Sequence, residues 1–491
     1  MRKLRLFFFG RLFWYAAVLI GFAALAVCLP IFLPAALPAL AVFSWAAALA
    51  AAFILFAFPA APEYRTAWLV LILALPLLGA IAYMVWGNYK FAARIRKKHL
   101  FPSETRTWQG DGYADRTMRE CASLAQEVSA PVHALTADYY PDGEWLSPLL
   151  ADMAAAKRFL WLEFYIAAQG EFLDSVLSVL KERTAAGVDV RFLYDDFGCA
   201  SALPRDFAER LGSCGIRACA FNPMHAFRFS ALNSRDHRKL AVIDGECAYT
   251  GGFNLADEYI GRKIRFGHWK DAAVRVTGAP AAQFARMFAR QWAYRHPNDF
   301  AADEAAIPEP AKGEIPCLAF CDDPFLPERS VGAGIYSSLF ATAYERIYLF
   351  TPYLMPDARL SSALKTAAKA GKDVRILIPH IPDKRAAFVL TRFFARELEK
   401  NGIAVREYYP GFLHAKTCVC DGKYAAVGSY NLDFRSLYLQ YECGVLVDDK
   451  AFAAALERDF LSAWELGVPV GKNTKTEAAL CALLRPFVPL F

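Results

Sequence analysis

Residues 233–254 read NSRDHRKLAVIDGECAYTGGFN, and residues 414–431 read HAKTCVCDGKYAAVGSYN. In the first stretch His237, Lys239 and Asp244 form H-x-K-x4-D; after six further residues come Gly251, Gly252 and Asn254. In the second, His414, Lys416 and Asp421 keep the same spacing, with Gly428, Ser429 and Asn431 at the same remove. A single match could be chance, but two with identical internal spacing mark a duplicated half-site.

The residue types suit one kind of chemistry. HRKLAVID and HAKTCVCD are rich in apolar and β-branched residues and alternate, so each predicts a strand. Positions i and i+2 of a strand share a face, which sends each His–Lys pair into one pocket. An imidazole serves as nucleophile or proton donor near neutral pH. A lysine ammonium suits a phosphate oxygen. The Gly-Gly or Gly-Ser pair lets backbone approach a ligand, and Asn and Ser add donors. Phosphate chemistry without metal or nucleotide is the natural reading. Asp244 and Asp421 precede Gly245 and Gly422, so a turn-forming role suits them better than catalysis.

With this duplicated motif the chain resembles the phospholipase D superfamily. Phe159–Ile166, Gly187–Asp196, Tyr348–Pro356, Gly371–Pro379, Gly428–Ser436 and the membrane segment Pro62–Asn88 are similar to its bacterial cardiolipin synthase branch. The resemblance runs from about residue 60 to the C-terminus. It implies an α/β fold: two tandem phospholipase D-like domains, with mixed, largely parallel sheets flanked by helices. These share one active site about a pseudo-twofold axis and follow N-terminal transmembrane helices. It also implies that His237 attacks phosphorus to form a phosphatidyl-histidine, while His414 protonates the departing glycerol and then deprotonates the incoming alcohol. Catalytic Lys239 and Lys416, with Asn254, Asn431 and Ser429 as substrate-binding donors, would hold the phosphoryl oxygens. The family's motif also counts Asp244 and Asp421. Glu442, 28 residues beyond His414, and Asp271, 34 beyond His237, are the expected histidine-orienting carboxylates. The implied reaction converts two phosphatidylglycerols to cardiolipin and glycerol. A hydrolase, a transferase using another alcohol and a non-catalytic anionic-lipid binder are the rivals.

Charge separates lipid from nucleic acid as the partner. Residues 1–98 hold ten Lys/Arg against one acid, Glu63, which leaves 45 Lys/Arg against 48 Asp/Glu in the remainder. A nuclease would carry its basic footprint on the catalytic part; here the positive charge flanks apolar segments, where phosphatidylglycerol and other anionic headgroups attract it. No nucleic-acid partner is expected. The twelve cysteines show no zinc spacing and read as reduced core thiols facing a cytosolic compartment.

The apolar fraction of 56% is concentrated near the N-terminus. Stretches at roughly 12–33, 36–58 and 67–86 each reach the ~20 residues a span needs. Trp14, Tyr15, Tyr64, Trp68, Tyr83 and Trp86 sit near their ends, as interfacial aromatics do. Basic residues at both ends of this region (Arg2–Arg11 and Lys90–Lys98) favour two spans with the catalytic part on the cytoplasmic side; three remain open. The expected organisation is a membrane region over 1–98, a connector over 99–135, domains over 136–300 and 317–491, and a Pro-rich linker over 301–316. Strand-like runs at 159–166, 188–195, 216–221 and 271–276 alternate with helical patterns, and a second such round follows the linker. Two apolar segments, 221–233 and 385–398, are candidates for guiding lipid entry, through Phe221, Met224, Phe227 and Phe229 in one and Phe388, Phe393, Phe394, Arg392 and Arg396 in the other.

Overall fold

A computed structural model describes residues 37–57, 60–87, 113, 115–125, 129–224, 233–324 and 330–490. The apolar stretch 12–33, both basic clusters, residues 99–112, 114 and 126–128 of the connector, and Phe227 and Phe229 lie outside the described residues.

Eighteen strands are described. In the first half they are β1 (Val132–Pro141), β2 (Phe159–Phe164), β3 (Asp189–Asp195), β4 (Arg217–Phe221), β5 (Arg235–Asp236), β6 (Lys239–Ile243), β7 (Cys247–Gly251), β8 (His268–Lys270) and β9 (Ala272–Gly278). In the second half they are β10 (Ile315–Asp322), β11 (Arg346–Phe350), β12 (Asp373–Pro379), β13 (Ala404–Tyr408), β14 (Gly411–Leu413), β15 (Thr417–Cys420), β16 (Tyr424–Gly428), β17 (Gln440–Asp448) and β18 (Gly467–Pro469). Sixteen of them build one sheet, ordered β18-β13-β12-β11-β15-β16-β17-β10-β1-β9-β7-β6-β2-β3-β4 with β5 paired to β17 off this path, and β14 and β8 form a separate two-stranded sheet. Read outward from the β1–β10 junction, both halves follow one sequence of strands: β1-β9-β7-β6-β2-β3-β4 on one side, β10-β17-β16-β15-β11-β12-β13 on the other.

The sheet is mixed, and less parallel than expected. Helical crossovers make β2–β3 and β11–β12 parallel, and β3–β4 and β12–β13 continue in the same sense. The motif strands are antiparallel hairpins, β6–β7 and β15–β16, because a short turn can join only antiparallel neighbours. In each turn the Asp-Gly pair has positive φ (Asp244 54°, Gly245 68°; Asp421 56°, Gly422 60°), which matches the right-handed twist of the flanking strands. One hydrophobic cluster joins the halves: Trp161, Val242, Val427 and Val445 from the sheet meet Phe288 and Trp292 of helix Ala279–Ala293 and Leu456 and Phe460 of helix Lys450–Glu465.

Near the N-terminus lie α1 (Leu37–Ala57), α2 (Pro62–Ala74) and α3 (Pro76–Ala82). Among the described residues α1 alone is long and apolar enough to cross a membrane, and Val42, Phe43, Leu49 and Phe53 stand exposed along it. The expected third span, 67–86, is interrupted. Leu75 leaves the helical region (φ −135°, ψ 74°) just before Pro76, and α3 folds back until Gly79 lies against the backbone of Leu71 and Ile72. Proline cannot supply the amide that a continuous helix needs there. Tyr64, Trp68 and Tyr83, expected as interfacial aromatics, are instead buried within the protein. Tyr64 stacks on Phe434 of helix Phe434–Tyr438, with ring centroids 6.0 Å apart, and Trp68 packs edge-on to Tyr64 and Tyr83.

Candidate active site

Two short parallel ladders outside the main hairpins assemble the site. β5 leaves the first half and pairs with β17 of the second, Tyr441 opposite Asp236, and the His237 N–H donates to the Tyr441 carbonyl at 2.9 Å. Reciprocally, β14 of the second half pairs with β8 of the first, Leu413 opposite Lys270, and the His414 N–H donates to the Lys270 carbonyl at 2.7 Å. The residue after each contacted partner is a carboxylate, Glu442 in one case and Asp271 in the other. Both histidines therefore lie just before their strands rather than within them, held by the opposite half.

The dyads follow from this clasp. His237 Nδ1 lies 2.8 Å from Glu442 Oε1, and His414 Nδ1 lies 2.8 Å from Asp271 Oδ2. A neutral imidazole that donates through Nδ1 to a carboxylate presents an unprotonated Nε2. Offsets counted within each half gave no sign that the pairing crosses between halves. Glu442 also accepts from the Ser429 and Ser436 hydroxyls. Ser429, expected as a phosphate donor, thus spends its hydroxyl on the carboxylate. Asp271 takes the backbone N–H of Ala272 at 2.8 Å and passes over Gly252, where an added Cβ would lie 2.0 Å from its Oδ1. Only glycine leaves that passage open.

The charge balance favours an anion. Lys239 and Lys416 are buried, and each ammonium donates to the carbonyl of the histidine two residues before it. Burial pushes Lys239 down to about 8 and Lys416 down to about 7, with Lys239 adding repulsion at Lys416. Burial, then Lys239, Lys416 and His414, hold His237 well below 6.5. Burial, then Lys416, Lys239 and Lys384, do the same to His414. The charges of the two motifs thus act on one another. Burial pushes Asp271 up to about 6 and Glu442 well above the usual carboxylate range. Buried cations repelling each other beside neutral imidazoles are stabilised by an incoming oxyanion.

The remaining candidates divide. Asn254 is tied to its own half: its carbonyl accepts from Ile166 N–H at 3.0 Å and its amide donates to the Tyr259 hydroxyl at 2.7 Å. Asn431 is buried and its Oδ1 has no protein partner. Asp244 and Asp421 stand apart from the histidines. Asp244 accepts the N–H groups of Lys157, Arg158 and Phe159, and Asp421 those of Tyr344, Glu345 and Arg346. They fasten the motif turns to the neighbouring strand. In the segment 385–398, Arg392 forms two bonds to buried Glu407 and Arg396 donates to the Gly471 carbonyl.

Sequence reasoning missed Ser436, and it missed the rings around the imidazoles: Tyr165 at 4.9 Å from His237, and Tyr259, Trp269 and Phe412 at 5.4, 5.5 and 5.8 Å from His414. Among the described residues no cluster of three or more His, Cys, Asp or Glu is arranged to hold a metal ion.

A family model described as cardiolipin synthase, PLD-like domain, matches residues 336–464, and one described as phospholipase D-nuclease N-terminal matches residues 46–88. A cardiolipin synthase of Geobacillus kaustophilus is 31% identical over 417 residues, covering 82% of each chain. An uncharacterized protein of Streptococcus mutans is 34% identical over 409 residues, covering 80% of this chain and 88% of that one. Among solved structures, the phosphatidylserine synthase of Haemophilus influenzae superposes with a TM-score of 0.56 at 14% identity, over 76% of this chain and 97% of that one, a likeness of fold.

Proposed function

The chain belongs to the phospholipase D superfamily, in its bacterial cardiolipin synthase branch, and on that premise we propose that it condenses two phosphatidylglycerols into cardiolipin and glycerol. His237 Nε2 attacks the donor phosphorus and the bond from phosphorus to the headgroup glycerol oxygen breaks. His414 enters this step as the imidazolium that the bound phosphate anion stabilises, and its Nε2 proton passes to the glycerol oxygen as glycerol leaves. The hydroxyl of a second phosphatidylglycerol then gives its proton to His414 Nε2, its oxygen bonds to phosphorus, and the phosphorus–nitrogen bond breaks. Lys239, Lys416 and Asn431 hold the phosphoryl oxygens throughout. Glu442 and Asp271 fix the tautomers, and the exchange of one phosphodiester for another needs no cofactor.

The observation that carries this reading is the reciprocal clasp, in which each half supplies the carboxylate for the other half's histidine. It favours two tandem domains, 136–300 and 317–491, joined by the linker 301–316 and sharing one site about a pseudo-twofold axis. The order of roles, His237 as nucleophile and His414 as proton shuttle, follows the resemblance to the family. We read residues 1–98 as a multi-pass membrane region that holds the catalytic part at the cytoplasmic face, with 99–135 as connector.

Incubation of the full chain in vesicles of pure phosphatidylglycerol is the test. Cardiolipin and glycerol in equal amounts support the proposal; phosphatidic acid and glycerol would mean a hydrolase. An acid-labile, base-stable phosphoprotein, absent from His237→Ala, checks the intermediate.

A further inference from the structure

We propose that Lys384 holds the phosphate of the acceptor lipid, in an anion subsite separate from the one for the reacting phosphate. The inference rests on the reading above. An acceptor phosphatidylglycerol is itself an anionic phosphodiester, so two phosphates occupy the cleft together. Lys239 and Lys416 lie buried beside the imidazoles and suit the phosphate under attack. The second phosphate, a three-carbon bridge away, lies further out and calls for a cation at the mouth of the cleft.

Lys384 meets that requirement. It lies between β12 and the helix Arg385–Glu399, with its side chain 69% exposed. Its Nζ is 3.3 Å from the Tyr353 hydroxyl and 5.0 Å from the centre of that ring. The Tyr353 hydroxyl donates to Asp383 at 2.5 Å, which fixes the ring. Tyr353 belongs to a loop tied to the second motif: Leu432 N–H donates to Thr351 Oγ1 at 3.3 Å, and Met355 N–H to the Leu432 carbonyl at 2.7 Å. Leu432 directly follows Asn431.

Lys384 is therefore linked to the second motif through Tyr353 and the loop that Leu432 binds, and its charge acts on both His237 and His414. Of the three lysines named as acting on both rings, it is the one that reaches water. A hydrated ammonium that rests beside an aromatic ring suits a contact made and broken at every turnover.

Two reactions of the full chain in mixed micelles separate this role from a general effect on the histidines. One is cardiolipin formation from phosphatidylglycerol. The other is exchange of labelled free glycerol into phosphatidylglycerol, where the acceptor carries no phosphate. In Lys384→Gln the ratio of cardiolipin formed to glycerol exchanged falls about tenfold, the scale of one charge-assisted hydrogen bond, while Lys384→Arg restores most of it. An unchanged ratio, whether both reactions fall together or neither does, overturns the proposal. If the wild type exchanges glycerol but makes no cardiolipin, the function proposed above fails first, a result that its own control reports.

Discussion

At His237 the orienting carboxylate is Glu442, gripped by the hydroxyls of Ser429 and Ser436; at His414 it is Asp271, held by one backbone N–H and a passage cleared by Gly252. Asn254 is consumed by its own half, whereas Asn431 keeps a carbonyl oxygen without a protein partner. The halves match in spacing and strand order, but not in how their side chains are engaged. Duplication supplies two equivalent positions, and divergence of a few neighbours would let one imidazole take the proposed role of nucleophile and the other that of proton shuttle.

The most severe way to break the comparison is to remove each imidazole in turn. His237→Ala and His414→Ala should each lower turnover by roughly 10⁴-fold or more, as with other residues that act as a unit. In rapid-quench experiments His414→Ala should still form some phosphoenzyme with an activated donor, and His237→Ala none. Equal labelling of the two variants would erase the proposed asymmetry.

Next come the carboxylates. Glu442→Gln and Asp271→Asn leave both imidazoles present but release their tautomers, with an expected loss of roughly 10³-fold. Asp271→Asn should also move the pH profile of kcat, because it alters the shuttle, while Glu442→Gln lowers the rate at every pH.

The lysines give a smaller and graded effect. Lys416, at about 7 without an anion beside it, takes up a proton when an oxyanion binds. Its folded value is depressed, so anion affinity is fullest below pH 7 and weakens as pH rises through it, by up to about tenfold per unit. Calorimetric titration with vanadate from pH 6 to 8 measures this, and Lys416→Arg, always charged, should flatten the slope. Smallest in its effect on chemistry is Asp244→Ala or Asp421→Ala. Loss of the acceptor for three backbone amides should cost about 2 kcal/mol and lower Tm, with turnover per folded molecule within twofold of wild type.

Much of this was legible because the strands announce themselves. FLWLEF and DVRFLYD are short runs rich in apolar residues, and each became a strand at nearly the expected bounds. The motif spacing likewise marked the histidines and lysines. What could not be read was pairing between distant segments. Two-residue β5 and three-residue β14 carry no periodicity of their own, so the crossing of the dyads lay beyond local pattern. The antiparallel setting of the motif strands was hidden in the Asp-Gly turns, read as turns but not as hairpins. Hydropathy treated 67–86 as one span because it weighs side chains and ignores the amide missing at Pro76. It also cannot distinguish an aromatic facing lipid from one facing the rest of the protein.

That last distinction bears on how the molecule is made. Tyr64 rests on Phe434, and the Trp86 carbonyl accepts from the Asn233 side chain at 2.9 Å. Helix α2 therefore leaves the ribosome well before Phe434 and waits, with part of its interior uncovered, until that segment has been synthesised. A version trimmed of its first 98 residues for easier handling would bare Phe434 and Leu439 and tend to self-associate, unless those two positions were made polar first.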